Sequence, residues 1–223
     1  MNDIRQRIDE ITSTLPGGVT LVAVSKFHPA ASIMEAYDAG QRVFGESRAT
    51  ELAEKAASLP DDITWHFIGH LQTNKVRLVV PHASLIQSVD SERLLRCIDA
   101  ESRRIGKTTD ILLQLHVAME ETKYGFLPDE LTELLRGGIL EECPNVRVRG
   151  IMGMASNVDD LSRIESDFKA IRATFDHIKA MSLPATGDFD TVSMGMSHDY
   201  MLAISCGSNM VRIGTTIFGE REY

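Results

Sequence analysis

The stretch Thr20-Leu21-Val22-Ala23-Val24-Ser25-Lys26-Phe27-His28-Pro29 carries the first strong signal in the chain. Residues that are β-branched or apolar run straight into one lysine, and a proline then stops the run. The pattern reads as a buried strand over residues 21–25 with an ammonium group at its C-terminal tip. A lysine in that place is costly unless something uses it. Two questions follow: what lies beside this strand, and what needs the amine.

Outward from the strand, the chain alternates. An amphipathic helix over residues 2–14 precedes it, with Ile4, Ile8, Ile11 and Leu15 near helical spacing and Pro16-Gly17-Gly18 closing it. After it come a helix over 29–39 closed by Gly40, a short strand over 42–46 and an Ala/Glu-rich helix over 49–59 stopped by Pro60. A third strand is expected over 64–69, a short helix over 74–80 and a fourth strand over 84–89. Ser91 caps a helix to residue 105, ended by Gly106. The run 110–117 is apolar in the manner of a parallel strand covered on both faces. Pro128 opens a helix to 136, followed by a strand over 146–152. A long helix over 159–181 carries Ile164, Phe168, Ile171, Phe175 and Ile178 on one stripe. Strands over 191–194 and 210–213 flank a helix over 198–206, and a last helix runs from 215 to about 221.

Strict βα alternation implies a parallel sheet with right-handed crossovers. Eight such units without a long interruption favour a closed α/β barrel, a (β/α)8 TIM barrel with an extra N-terminal helix, over an open sheet. The 223 residues fit one barrel, and no linker-like shift in composition divides them, so residues 1–223 are read as a single domain.

Composition narrows the function classes. A net charge of −9 with no compensating basic stripe argues against a nucleic-acid surface. No apolar run approaches the ~18–20 residues of a membrane span, and the N-terminus lacks an apolar signal core. Cys97, Cys143 and Cys206 are odd in number and widely spaced, which suits a reducing compartment and neither a disulfide framework nor a zinc site. The expected location is cytoplasmic, as a monomer or weak dimer.

A barrel of this type builds its site at the C-terminal ends of its strands. The tips here are polar, cationic or glycine-rich, while the strand bodies are apolar. Ser193-Met194-Gly195-Met196-Ser197 and Gly214-Thr215-Thr216 stand where barrels place phosphate, after the seventh and eighth strands. Glycine lets backbone approach an anion, hydroxyls and N–H groups bind it, and Arg212 adds a permanent cation. Ordinary βα turns also favour Gly, Ser and Thr. Two adjacent loops with an arginine favour phosphate. A lone lysine is more often a salt-bridge partner or a substrate clamp. A desolvated one is what condensation with an aldehyde requires. Pyridoxal 5′-phosphate is an aldehyde that carries a phosphate, and Arg212 is a candidate partner for its ring nitrogen.

Further segments carry a resemblance: Phe44-Gly45-Glu46, the run from Trp65 to Lys75 (WHFIGHLQTNK), Glu121-Thr122-Lys123-Tyr124-Gly125-Phe126, the run from Ser193 to Asp199 (SMGMSHD) and that from Val211 to Gly219 (VRIGTTIFG). With Ala23-Val24-Ser25-Lys26 they span nearly the whole chain in order. The chain resembles the pyridoxal phosphate homeostasis protein family, single-domain relatives of alanine racemase with the fold-type III barrel. The resemblance implies that Lys26 carries pyridoxal 5′-phosphate as a Schiff base, with Ser193, Arg212, Gly214 and Thr215 lining the phosphate and ring end. Met194 and Gly195, in the same loop, and Ser47 and His70, at neighbouring strand tips, join these as secondary candidates. Ser47 departs from the family's usual Asn after Phe-Gly-Glu, so the contact of that Asn is not carried over.

Two-domain racemases take a second base from a C-terminal domain, and this chain ends at Tyr223, just after the eighth unit. The expectation is a non-catalytic carrier that holds the cofactor and passes it to pyridoxal phosphate-requiring apo-enzymes. The alternatives are an amino-acid racemase or lyase that uses the cofactor, and a phosphosugar enzyme with Lys26 as a clamp. His66 and His116 are read as hydrogen-bonded structural histidines and Lys123 as a solvated loop lysine. Met154, Met194 and Met196 are expected to pack near the cofactor ring.

Overall fold

The computed structural model describes residues 4–119, 124–181, 183 and 188–220. Lys123 and the Glu120-Glu121 pair lie outside the described residues.

Eight parallel strands close into a barrel in sequence order: β1 (Thr20–Val24), β2 (Val43–Glu46), β3 (Thr64–Phe67), β4 (Leu85–Val89), β5 (Thr109–Leu115), β6 (Val146–Gly153), β7 (Thr191–Ser193) and β8 (Met210–Ile213). β8 pairs with β1 in the register Ala23↔Ile213, which seals the ring. The helices form the outer layer: α1 (Ile4–Thr14), α2 (Ala30–Asp38), α3 (Ala49–Ser58), α4 (Val76–Val79) and α5 (Glu92–Ile105), then α6 (Pro128–Arg136), α7 (Ile139–Glu142), α8 (Leu161–Ala180), α9 (Tyr200–Ser205) and α10 (Thr215–Phe218). The barrel and the extra N-terminal helix read from the sequence are both present.

α1 buries Ile4, Ile8 and Ile11, and the Arg7 guanidinium donates to the Ile217 carbonyl at 3.0 Å. The extra helix thus ties the start of the chain to α10. The five-residue stripe of α8 is buried as its spacing predicts. Ser91 Oγ accepts from Leu94 N at the start of α5.

Most boundaries shift by a residue or two from the sequence reading, and three differences stand out. β5 ends at Leu115, so His116 lies beyond it. β3 ends at Phe67, where Gly69 passes close to the Ser47 backbone. α7 follows Gly138, whose φ of 85° restarts the chain after an apparent break at Gly137-Gly138.

The interior of the barrel is layered. Val22, Leu85, Leu112, Met152 and Met210 form an apolar cluster separate from the larger core between barrel and helices. Two residues further along the same strand faces stand Gln87, Gln114 and Arg212, because side chains alternate with a period of two. The barrel therefore changes from apolar to polar toward its C-terminal mouth.

Candidate functional site

A cavity of about 240 Å³ opens at that mouth. β1 and its tip contribute Val24 and Lys26, and the segment after β2 contributes Ser47. Ile68 and Gly69 follow β3, and Met154 follows β6. The loop after β7 gives Met196, Ser197 and His198, and β8 with its loop gives Arg212, Gly214 and Thr215.

Lys26 and Gly214 come from opposite ends of the sequence but from paired strands. The register Ala23↔Ile213 sets Gly214 beside Val24, and a Cβ on Gly214 would stand 3.2 Å from Val24 Cβ. The absence of that carbon keeps backbone exposed at the cavity wall. Gly214 N meets Ser197 Oγ at 3.4 Å, and Thr215 adds a second hydroxyl. α10 is a single turn, so an anion at this wall would meet individual N–H groups rather than a long helix dipole.

Arg212 is 5% exposed. One guanidinium nitrogen donates to the Ser193 hydroxyl at 2.7 Å and to the Ser193 carbonyl at 2.9 Å; the other donates to the Gly153 carbonyl at 3.1 Å. Burial lowers its pKa to about 10, against the opposing pull of the Asp199 carboxylate, and it stays charged at neutral pH. Below it, Ser193 Oγ donates to Gln87 Oε1 at 2.7 Å and Gln87 Nε2 meets His66 Nδ1 at 2.9 Å. Burial pushes the His66 pKa down to about 4, so the ring is neutral and accepts through Nδ1. His66 is thus hydrogen-bonded as expected. His116 differs: its Nδ1 is buried with no partner among the described residues.

The cavity brings together Lys26, Ser47, Arg212, Gly214 and Thr215. Ser193 is fully buried beneath Arg212 and acts on the cavity through it. Met194 is fully buried in the core between barrel and helices, while Met154 and Met196 line the cavity. Gly195 contributes a backbone carbonyl that accepts from Arg212 N at 3.0 Å. His70 stands in an adjoining hollow that shares Ser47; its Nδ1 lies 2.8 Å from Asp90 Oδ2 and its ring stacks on Tyr124 at 3.7 Å.

Sequence reasoning did not single out His198 or Gln87. The sequence pattern starts a helix at His198, whereas α9 begins at Tyr200 and leaves His198 in the loop after β7. Gln87 had a usable signal, an amide in the middle of a fully buried strand.

The residues fit pyridoxal 5′-phosphate on chemical grounds. A primary amine, a wall of glycine and hydroxyl groups suited to an anion and a fixed guanidinium surround one cavity, and among the described residues no carboxylate lines it.

The alanine racemase N-terminal domain family matches residues 1–222. The pyridoxal phosphate homeostasis protein of Pasteurella multocida is 38% identical over 208 residues, covering 92% of this chain and 88% of that protein. The human protein of the same name is 40% identical over 214 residues, covering 91% and 77%. The structure of PipY from Synechococcus elongatus with pyridoxal phosphate bound superposes with a TM-score of 0.89 at 37% identity, over 97% of this chain and 100% of that one. Alanine racemase from Bartonella henselae shares the fold, with a TM-score of 0.74 at 18% identity, and this chain spans 58% of it. With its closed barrel and one-sided cavity, the chain belongs to the alanine racemase N-terminal domain family, among the pyridoxal phosphate homeostasis proteins.

Proposed function

We propose that the chain binds pyridoxal 5′-phosphate at the mouth of the barrel, holds it covalently on Lys26 and takes part in its intracellular homeostasis. The observation that carries this reading is the pairing of β1 with β8, which sets the Lys26 amine and the Gly214-Thr215 anion cradle on one cavity. Relatives named for pyridoxal phosphate homeostasis, and the PipY structure with the cofactor bound, support it.

Bound pyridoxal phosphate supplies an aldehyde that condenses reversibly with a primary amine. Lys26 presents that amine from the strand tip. Gly214, Ser197 and Thr215 bind and orient a phosphate. Arg212 is the residue for the ring nitrogen. A guanidinium beside that nitrogen would disfavour its protonation, because two cations repel, and a neutral ring would be a weak electron sink. The reading is therefore a carrier rather than a catalyst. It acts in the cytoplasm and transfers its cofactor to apo-enzymes, and the free thiols of Cys97, Cys143 and Cys206 fit that compartment.

One observation favours a second reading, a pyridoxal phosphate-dependent racemase or lyase. His198 lines the cavity with its side chain 58% exposed and is placed to move a proton.

The test adds pyridoxal phosphate to wild type and to Lys26→Ala, records absorption spectra, reduces with borohydride and maps the labelled peptide. Wild type is expected to turn yellow and carry the label on Lys26; the variant is expected to do neither. Wild type that stays colourless overturns the reading. Solvent deuterium entering an amino acid at Cα at a useful rate, and lost in His198→Ala, replaces the carrier with the enzyme.

A further inference from the structure

The peptide groups on either side of Lys26 are gripped by one ion pair. Lys55 Nζ donates to the carbonyl of Ser25, the residue before Lys26, at 2.9 Å. Glu51 Oε1 accepts from the N–H of Phe27, the residue after it, at 2.7 Å. Lys55 and Glu51 lie one turn apart on α3 and meet each other at 2.6 Å. Lys55 also contacts Glu46 Oε1 at 2.7 Å, and that oxygen accepts from Ser25 Oγ at 2.6 Å.

The conformation held this way is unfavourable on its own. Phe27 has a φ of 67°, the one positive φ outside glycine among the described residues. A bulky side chain there is a genuine outlier, sustained only where its surroundings over-determine it. The Arg48 guanidinium, at the N-cap of α3, sits 4.3 Å over the Phe27 ring. The same helix therefore holds the Ser25 carbonyl, the Phe27 amide and the Phe27 ring.

Stability alone is a poor reason for this cluster. The Glu46 side chain is fully buried, with Oε2 unpartnered among the described residues, and desolvation raises its pKa against the pull of Lys55. Buried ion pairs rarely outdo apolar residues of similar volume in stability. In some proteins such pairs set geometry instead. β1 ends at Val24, and the turn at Phe27 follows Lys26 directly, so it bears on the direction in which that side chain leaves the rim.

We propose that the Lys55–Glu51 pair positions Lys26, using the strained turn at Phe27 to aim the amine into the cavity. This rests on Lys26 being the attachment point for pyridoxal phosphate.

The test compares wild type, Glu51→Gln, Lys55→Met and Glu51→Gln/Phe27→Gly. The rate of borohydride-trapped labelling at Lys26 by pyridoxal phosphate is read by peptide mapping, and circular dichroism and melting check the fold. Folded Glu51→Gln is expected to label roughly ten- to a hundredfold more slowly, the scale of loss from misplacing a reacting group by about 1 Å. It is also expected to exchange the Phe27 amide proton faster, a readout that needs no ligand. Adding Phe27→Gly is expected to recover much of the rate, because glycine adopts that φ without strain. A purely structural role would lower the melting temperature and give no such rescue. Wild-type labelling and Phe27 exchange in folded Glu51→Gln overturn the proposal. Wild type left unlabelled at Lys26 instead overturns the attachment on which it rests.

Discussion

Ser193 holds Arg212 twice, with its hydroxyl 2.7 Å and its carbonyl 2.9 Å from the same guanidinium nitrogen. The hydroxyl donates onward to Gln87, which meets the neutral ring of His66. The cation at the cavity wall is thereby anchored to a polar layer inside the barrel. Each member is nearly or fully buried, so each depends on its neighbour for satisfaction.

Ser193→Ala is expected to destabilise the fold by about 1–3 kcal/mol, because Gln87 Oε1 loses its donor in a buried setting. Urea unfolding measures this. Arg212 also loses one of its acceptors, so pyridoxal phosphate should bind several-fold more weakly in spectroscopic titration.

His66 makes stability depend on pH. Its folded pKa of about 4 lies below the ordinary 6.5 because burial disfavours the charged ring. The unfolded chain therefore takes up the proton first. The contribution is full above pH 6.5 and is lost as pH falls toward 4, with a total of about 3 kcal/mol. Urea unfolding at pH 4.5, 5.5 and 7 is expected to show this slope, and His66→Gln is expected to flatten its share of it.

Gly69→Ala tests the wall between the cavity and the hollow that holds His70. An added Cβ would stand 2.3 Å from the Ser47 carbonyl oxygen, so the Ser47 backbone must shift. The expected cost is about 1–3 kcal/mol. Pyridoxal phosphate binding should weaken as well, because Ser47 lines the cavity. A variant with wild-type melting and binding would contradict this placement.

Ser91→Ala removes a helix cap away from the cavity lining. Its bond to Leu94 N is long, at 3.3 Å, so the loss should be near 0.5–1 kcal/mol. Pyridoxal phosphate binding should not change, which makes this variant a control for the two above.

Lys26, Arg212, Gly214 and Thr215 could be found from sequence because barrel strands display their tips on one face, and a strand tip is a local signal. Met194 and Ser193 show where that signal ends. They are adjacent, yet Ser193 faces the barrel interior and Met194 the helix layer, since successive side chains alternate. β7 has three residues, too few to read its parity from hydrophobicity. His198 was hidden for a different reason: its place on the cavity depends on the path of the loop after β7, which no periodicity describes.

The order of strands and helices, the number of barrel units and the amine just past the first strand are legible from the amino-acid sequence alone. These rest on apolar periodicity, caps and breakers acting over a few residues. The register Ala23↔Ile213 that sets β8 beside β1, the reach of Ser193 to Gln87 across 106 residues and the hold of Lys55 and Glu51 on the turn at Phe27 emerge only in the folded molecule. Those contacts join segments distant along the chain, and they form only where packing brings buried polar groups within reach of one another.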